Sequence, residues 1–183
     1  MAYIELSNQL PGIAGLLTHR PDTAKPLLEL AETLLRGPST LTRGERELIA
    51  SHVSSLNDCK YCMLSHSAVA SHHLGKSIVP ELKMGLNPES LDVSPKLRSL
   101  LRIAGQVQQG GNRVAPEDVL EAKGQGATDS EIHDTVLIAA AFCMYNRYVD
   151  GLGTWSMDNP EDYLPNGERL ATKGYLSPRL SNS

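Results

Sequence analysis

Aromatic side chains are scarce in this 183-residue chain: they make up 4% of it, as one Trp, one Phe and six Tyr. That scarcity excludes the interleaved stacking platform of proteins that bind single-stranded nucleic acid. No block of five like charges occurs and the formal net charge is −4, so a surface for duplex nucleic acid is not expected either. The core must use Leu, Ile, Val and Ala, as small helical domains do.

Long apolar runs are also missing. The longest, residues 136–145, has ten residues, about half of what a membrane span requires. The first residues include Glu5 and no basic segment ahead of an apolar stretch, so we expect no secretory signal. Three cysteines cannot form a disulfide framework, and two of them lie three residues apart. We therefore expect a cytoplasmic protein with no membrane contact, whose paired cysteines serve catalysis or metal binding.

Helical signals dominate the chain, and no stretch alternates with period two for long enough to predict a strand. The predicted fold class is all-α. The helices expected from apolar spacing, capping residues and Gly or Pro stops cover residues 21–36, 43–56, 59–74, 94–109, 116–123 and 129–150, with a short piece near 78–84. In the second helix we expect Leu48, Ile49, Val53 and Leu56 to point inward. Asn57-Asp58 predicts the N-cap of the third helix, and Gly75 its end.

The composition changes after residue 155, where Pro, Gly and Asn accumulate without clear periodicity. We therefore divide the chain into a helical domain, 1–155, and a C-terminal arm or tail, 156–183. The tail is expected to be either disordered or extended along a neighbouring subunit. Its apolar residues favour the second interpretation: Tyr163, Leu164, Leu170, Tyr175 and Leu176. The apolar run at 136–145 leaves its helix without a polar face, which requires either a central position in the domain or contact with another subunit.

The pattern that carries chemistry is Glu47-x11-Cys59-x2-Cys62-x3-His66. On a helix, the two cysteines and the histidine fall within an arc of about 60° on one face. Glu47 lies on the preceding helix, and a short turn between the two helices can bring its carboxylate beside that face. Two thiols, an imidazole and a carboxylate are therefore expected to converge.

Such a group suits thiol chemistry. The helix dipole stabilises a thiolate at Cys59 in the first turn, and on that argument alone Cys59 would be the more acidic thiol. His66, one turn beyond Cys62, can exchange a proton with its sulfur. Glu47 can orient that imidazole or take its proton through a water. Cysteines at positions i and i+3 can also close into a disulfide without large backbone movement.

The spacing resembles that of the AhpD-like alkylhydroperoxidases in the carboxymuconolactone decarboxylase superfamily. The surrounding sequence, ERELIASHVSSLNDCKYCMLSHSAVASHHLG, is similar to their peroxidase-related branch, as is a weaker match at Asn146, Arg147, Asp150 and Gly151. Tyr61 departs from the pattern, because AhpD proper has a His there. The resemblance implies an AhpD-like helical bundle that assembles into a homotrimer or a hexamer.

The resemblance also implies the chemistry of the site residues. Cys62 would attack a small organic hydroperoxide or hydrogen peroxide and become a sulfenic acid, and Cys59 would resolve it into a disulfide. His66 and Glu47 match the proton relay of the family. No metal and no organic cofactor is implied. Re-reduction would need a thiol partner, such as a lipoylated or thioredoxin-like protein.

Other interpretations of these residues stay open. Cys59, Cys62 and His66 could hold a structural zinc ion, with Glu47, His72 or His73 as the fourth ligand. A non-redox enzyme such as a lactone decarboxylase could use the same fold, although those members lack the cysteine pair. Among the remaining chemistry-bearing residues, we expect an inert core thiol at Cys143, a structural ion pair between Arg147 and Asp150, and surface or capping roles for His52, His72 and His73.

Overall fold

Eight α-helices carry the fold in the computed structural model, which describes residues 2–78 and 86–177. Within those residues no strand occurs, which confirms the all-α prediction. The piece predicted near 78–84 lies outside the described residues except for Ile78. In chain order the helices are α1 (Gly12–His19), α2 (Pro21–Arg36), α3 (Arg43–Leu56), α4 (Lys60–Leu74), α5 (Pro95–Gln109), α6 (Pro116–Gly124), α7 (Asp129–Gly151) and α8 (Leu164–Lys173).

Capping boxes begin the two helices for which the sequence predicted them. In α3 the Thr42 hydroxyl accepts from the backbone N–H of Glu45, and the Glu45 carboxylate accepts from the backbone N–H of Thr42. Thr128 and Glu131 make the same exchange at the start of α7. Each box satisfies backbone donors that the first helical turn would otherwise leave unpaired. These predicted starts are confirmed.

The turn between α3 and α4 differs from its prediction. Asp58 adopts a left-handed conformation with φ of 56°, so it cannot serve as the N-cap of α4. Cys59 takes the N-cap position instead, and its backbone N–H donates to the Ser54 carbonyl oxygen at 3.0 Å. The tight turn lays α3 and α4 side by side. Gly75 ends α4 with φ of 65°, as predicted.

Two apolar clusters form the core. The larger one gathers buried residues of α2, α3, α5 and α7, and the smaller one surrounds Cys59 and Cys62 with Tyr61, Val149 and Tyr163. Two expectations about α3 are wrong. Leu56 is 41% exposed, because it lies at the C-terminal end of the helix beside α5. His52 is buried at 2% exposure, where its Nδ1 lies 3.1 Å from the Leu86 carbonyl oxygen.

Residues 156–177, here called the C-terminal segment, are not an extended or disordered arm. They form a 3₁₀ turn at Pro160–Tyr163 followed by α8, which lies against α4. Gly167 permits this approach, since a Cβ atom there would lie 2.6 Å from the Cβ of Ala68. Tyr163, Leu170 and Tyr175 are buried within their own chain. Three of the tail's five apolar anchors are therefore buried without a neighbouring subunit, whereas Leu164 and Leu176 stay 47% and 56% exposed.

Candidate active site

The two cysteines of the CxxC motif lie at the start of α4, inside the smaller apolar cluster. Cys59 is fully buried, Cys62 is 3% exposed, and both are free thiols. Asn146, on α7, holds the turn that precedes them: its side chain donates to the Ser54 hydroxyl at 3.0 Å and accepts from the Asn57 amide at 2.9 Å. The weaker similarity noted around Asn146 therefore corresponds to a buried residue that fixes the start of α4.

The surroundings of Cys59 raise the pKa of its thiol. Its hydrogen bond with the Cys62 sulfur raises the pKa of Cys59, and burial and the negative charge of Asp150 raise it further. Partial burial in turn raises the pKa of Asp150, although its hydrogen bond with Cys59 opposes that shift. The dipole argument for a Cys59 thiolate is therefore wrong, because desolvation and the neighbouring sulfur outweigh the helix terminus.

Glu47 and His66 meet as the spacing predicted. The Nδ1 atom of His66, on α4, lies 2.7 Å from the Oε2 atom of Glu47, on α3. The two side chains are 12% and 1% exposed. The Phe142 ring packs edge to face against the imidazole, with ring centroids 4.5 Å apart. Because Nδ1 points to the carboxylate, Nε2 is the ring nitrogen left for other chemistry.

Tyr175 completes this group from the C-terminal segment, and sequence analysis had not assigned it to the site. Its hydroxyl donates to the Oε1 atom of Glu47 at 2.7 Å and lies 3.3 Å from His66 Nδ1. Its ring stacks on the imidazole, with centroids 6.1 Å apart and planes 15° apart. Burial and the charge of Glu47 raise the pKa of Tyr175 well above its usual value of 10. In the sequence, Tyr175 stands out only as an apolar residue within a polar tail.

A cavity of about 390 Å³ opens beside these residues. Cys62, His66 and Tyr175 all contribute to its wall. The rest of the wall is mostly apolar and comes from α1, α2, α7 and the C-terminal segment; it includes Leu17, Leu27, Leu28, Phe142, Tyr145 and Leu170. A cavity of this size and character suits a small organic molecule held next to a thiol and an imidazole.

The structure also places the residues for which the sequence suggested metal-binding, ion-pair, core or surface roles. In residues 2–78 and 86–177 no group of three or more His, Cys, Asp and Glu side chains could hold a metal ion. Arg147 donates to the Cys143 carbonyl oxygen, and the described residues show no ion pair between it and Asp150, whose charged and polar neighbours are Cys59 and Asp58, so that expectation is wrong. Cys143 is half-buried on α7. His72 is exposed, and His73 is half-buried.

Comparison with known proteins finds a family match within the chain and solved structures with a similar fold. The Carboxymuconolactone decarboxylase family matches residues 21–77, which contain Glu47, Cys59, Cys62 and His66. An uncharacterized peroxidase-related protein with an alkylhydroperoxidase AhpD core, from Ralstonia eutropha JMP134, superposes with a TM-score of 0.75 and 28% identity. That match covers 86% of this chain and 81% of the other. The family match and the shared fold support assignment of the chain to the AhpD-like carboxymuconolactone decarboxylase superfamily.

Two further solved structures share the fold of this AhpD-like chain. An uncharacterized peroxidase-related protein from Silicibacter sp. TM1040 has a TM-score of 0.73 and 24% identity, over 84% of this chain and 78% of the other. A protein of unknown function from Agrobacterium tumefaciens, whose name links it to the antioxidant defence protein AhpD, has a TM-score of 0.65 and 20% identity, over 78% and 97%. No curated protein matches at a significant level. None of the described helices is both long and apolar enough to span a bilayer.

Proposed function

We propose that this protein is a thiol-dependent hydroperoxidase, with Cys62 as the nucleophile, Cys59 as the resolving thiol, and Glu47 and His66 as a proton relay. One observation carries the proposal: Cys62 shares a cavity wall with an imidazole whose Nδ1 atom is hydrogen-bonded to a buried carboxylate. That order of carboxylate, imidazole and nucleophile is the arrangement that activates a weakly acidic nucleophile. AhpD-like relatives described as peroxidase-related support the same chemistry.

In the first step, a hydroperoxide ROOH places its terminal oxygen at the Cys62 sulfur. His66 takes the thiol proton through Nε2, and the thiolate attacks that oxygen. The S–O bond forms as the O–O bond breaks, and the departing RO⁻ takes the proton from His66. Cys62 becomes a sulfenic acid and the hydroperoxide becomes the alcohol ROH, so sulfur loses the two electrons that the peroxide gains.

In the second step, Cys59 resolves the sulfenic acid. Its thiol is already hydrogen-bonded to the Cys62 sulfur, so little movement is needed. The S–S bond forms as the S–O bond breaks, and the hydroxide leaves as water with the Cys59 proton. Because the pKa of Cys59 is raised, this proton must be taken at the moment of attack. Asp150, hydrogen-bonded to the Cys59 thiol, is placed to accept this proton and pass it to the departing hydroxide.

Turnover then requires a dithiol reductant that supplies two electrons and two protons through thiol–disulfide exchange. Cys59 is fully buried, whereas Cys62 lies on the cavity wall. The geometry favours entry of a slender dithiol through the cavity, as on a lipoylated arm, over direct contact with a globular thioredoxin-like protein. A working thiol pair also requires reducing surroundings, and we therefore place the protein in the cytoplasm.

We further propose that the protein assembles into a homotrimer or a hexamer. The helix α7 buries one face in the core but leaves Leu137 and Met144 40% and 43% exposed. Val136 and Cys143 lie half-buried on the same helix. Exposed apolar side chains grouped on one helix are typical of a subunit contact. In the C-terminal segment Tyr163, Leu170 and Tyr175 are already buried within the chain, and the exposed apolar side chains are Leu164 and Leu176.

A single-turnover assay tests the proposed activity without knowledge of the reductant. Pre-reduced protein is mixed with cumene hydroperoxide, and both peroxide and free thiols are counted. We expect one peroxide consumed and two thiols lost per chain, with a Cys59–Cys62 disulfide in the peptide map. Cys62→Ser should consume none, and Cys143→Ser, the matched control, should behave as the wild type. Consumption by Cys62→Ser would contradict the proposal. Turnover of a lactone by a chain lacking both thiols would favour the decarboxylase alternative.

A further inference from the structure

We propose that Tyr175 is a positioning residue for the Glu47–His66 relay: its hydroxyl keeps Glu47 in the carboxylate form and thereby keeps the imidazole proton on Nδ1. The inference rests on the proposed function, because it assigns Tyr175 a task within that relay. Tyr175 itself is not expected to react with the peroxide.

The hydrogen bonds around Glu47 carry the argument. The carboxylate is 1% exposed, so water cannot satisfy both of its oxygens. Oε1 accepts from the Tyr175 hydroxyl and Oε2 meets His66 Nδ1, each at 2.7 Å. A buried carboxylate without such donors would take up a proton, because desolvation penalises its charged form. Protonated Glu47 could then donate to Nδ1, and the imidazole proton would move to Nε2.

That proton shift matters at the nitrogen that faces the chemistry. With the proton on Nδ1, Nε2 of neutral His66 has a free lone pair and can accept the Cys62 proton. With the proton on Nε2, the imidazole cannot accept a proton there. The hydroxyl of Tyr175 cannot take the proton instead, since burial and the charge of Glu47 raise the pKa of Tyr175 well above 10. It acts only as a donor across the working pH range.

The fold delivers Tyr175 to this position through a clamp formed by Glu32 and Arg36 on α2. Arg36 donates to the carbonyl oxygens of Leu170 and Ala171, at 3.1 and 2.6 Å, and so holds the end of α8. Glu32, paired with Arg36, accepts from the backbone N–H of Tyr175 at 2.7 Å. Two charged groups thus fix the backbone on either side of the turn that aims the phenol ring at Glu47.

At Gly174 the backbone of this turn lies directly against Glu32 and Arg36. This glycine has φ of 82°, a conformation that side chains rarely allow. A Cβ atom there would lie 2.6 Å from Glu32 Oε2 and 2.9 Å from Arg36 Nε. The segment therefore reaches the relay only by direct contact between its backbone and the clamp.

Removing the Tyr175 hydroxyl is expected to shift the pH dependence of the relay in a defined direction. The charged and titratable groups that surround the relay are Arg46, His73, Glu32, Arg36 and Cys62, together with Tyr145 and Arg169 on the cavity wall. Tyr175→Phe leaves each of these side chains in place. The carboxylate form of Glu47 loses one of its two donors and is therefore destabilised relative to the protonated form. The active protonation state of the relay then forms only at higher pH. A charge-assisted hydrogen bond of this kind corresponds to a shift of about one pH unit.

The test uses the full chain with Cys59→Ser and Cys143→Ser, so that Cys62 is its only thiol. The rate of Cys62 alkylation by iodoacetamide is measured against pH. Tyr175→Phe should move the acidic limb of this profile upward by about one pH unit. Tyr148→Phe is the matched control. It removes the hydroxyl of a half-buried tyrosine on α7 that does not line the cavity, and it should leave the profile unchanged.

Two further variants test by separate routes whether Tyr175 acts on Glu47. In a Glu47→Gln background, Tyr175→Phe should have no additional effect, because the charge on which it acts is gone. If circular dichroism shows Tyr175→Phe unfolded, Glu32→Gln loosens the clamp and should shift the limb in the same direction by less. An unchanged profile, or a shift that persists with Glu47→Gln, would overturn the role of Tyr175. Alkylation needs no peroxide, so failure of the proposed peroxidase activity would show separately, as an absence of peroxide consumption.

Discussion

His66 Nδ1 and Glu47 Oε2 lie 2.7 Å apart although 19 positions separate the two residues along the chain. The short turn between α3 and α4 makes this contact possible, because it brings the middle of one helix beside the middle of the other. The relay is therefore built within a helical hairpin. Phe142 on α7 and Tyr175 from the C-terminal segment enclose it.

Loss of the imidazole should slow peroxide reduction. His66→Ala removes the group that takes the Cys62 proton, so we expect a rate of peroxide reduction about 10²-fold lower, the usual size of a lost proton-transfer group. His72→Ala is the matched control, since His72 lies exposed on the same helix. The measurement is the rate of peroxide consumption by pre-reduced protein across pH. A wild-type rate for His66→Ala would show that the imidazole only packs.

Much of the helical hairpin could be predicted because its determinants are local. The capping residues of α3 and the 3.6-residue period placed Glu47, Cys62 and His66 on facing surfaces. Tyr175 could not be predicted, because its partner lies 128 positions away and it reaches that partner through clamp contacts made by α2. The acidity of Cys59 was also misjudged, since burial and the neighbouring sulfur are properties of the folded site.

A second prediction concerns stability at low pH. Burial lowers the pKa of His52 from 6.5 to about 4. Above pH 6.5 both the folded and the unfolded chain hold this imidazole neutral, so it adds no pH dependence there. Below pH 6.5 the unfolded chain takes up the proton first, and stability falls until about pH 4. We expect this group alone to lower the free energy of unfolding by about 2 kcal/mol between pH 7.5 and 5.

His52→Gln isolates that contribution, because glutamine keeps a donor for the Leu86 carbonyl oxygen but does not titrate. Urea unfolding at pH 7.5 and pH 5 should show a smaller loss of stability for the variant than for the wild type. Equal losses for both proteins would mean that His52 does not drive the acid sensitivity.

A third prediction concerns assembly. If the exposed face of α7 is a subunit contact, Leu137→Glu combined with Met144→Lys should shift the mass measured by light scattering from a trimer or hexamer towards the 19.8 kDa monomer. Leu120→Lys is the control, because Leu120 is 66% exposed on a different helix, α6. A wild-type protein that is monomeric at micromolar concentration would contradict the proposed assembly.

The most direct measurement of the central claim identifies the sulfur that the peroxide oxidises. Cys59→Ser protein cannot resolve a sulfenic acid at Cys62, so one equivalent of cumene hydroperoxide should leave that acid available to a dimedone reagent. Mass spectrometry of the digested protein should find the label on Cys62, with formation suppressed by His66→Ala. A label on Cys143 instead, or no label while peroxide is still consumed, would contradict the assignment of Cys62 as the peroxide-reducing thiol.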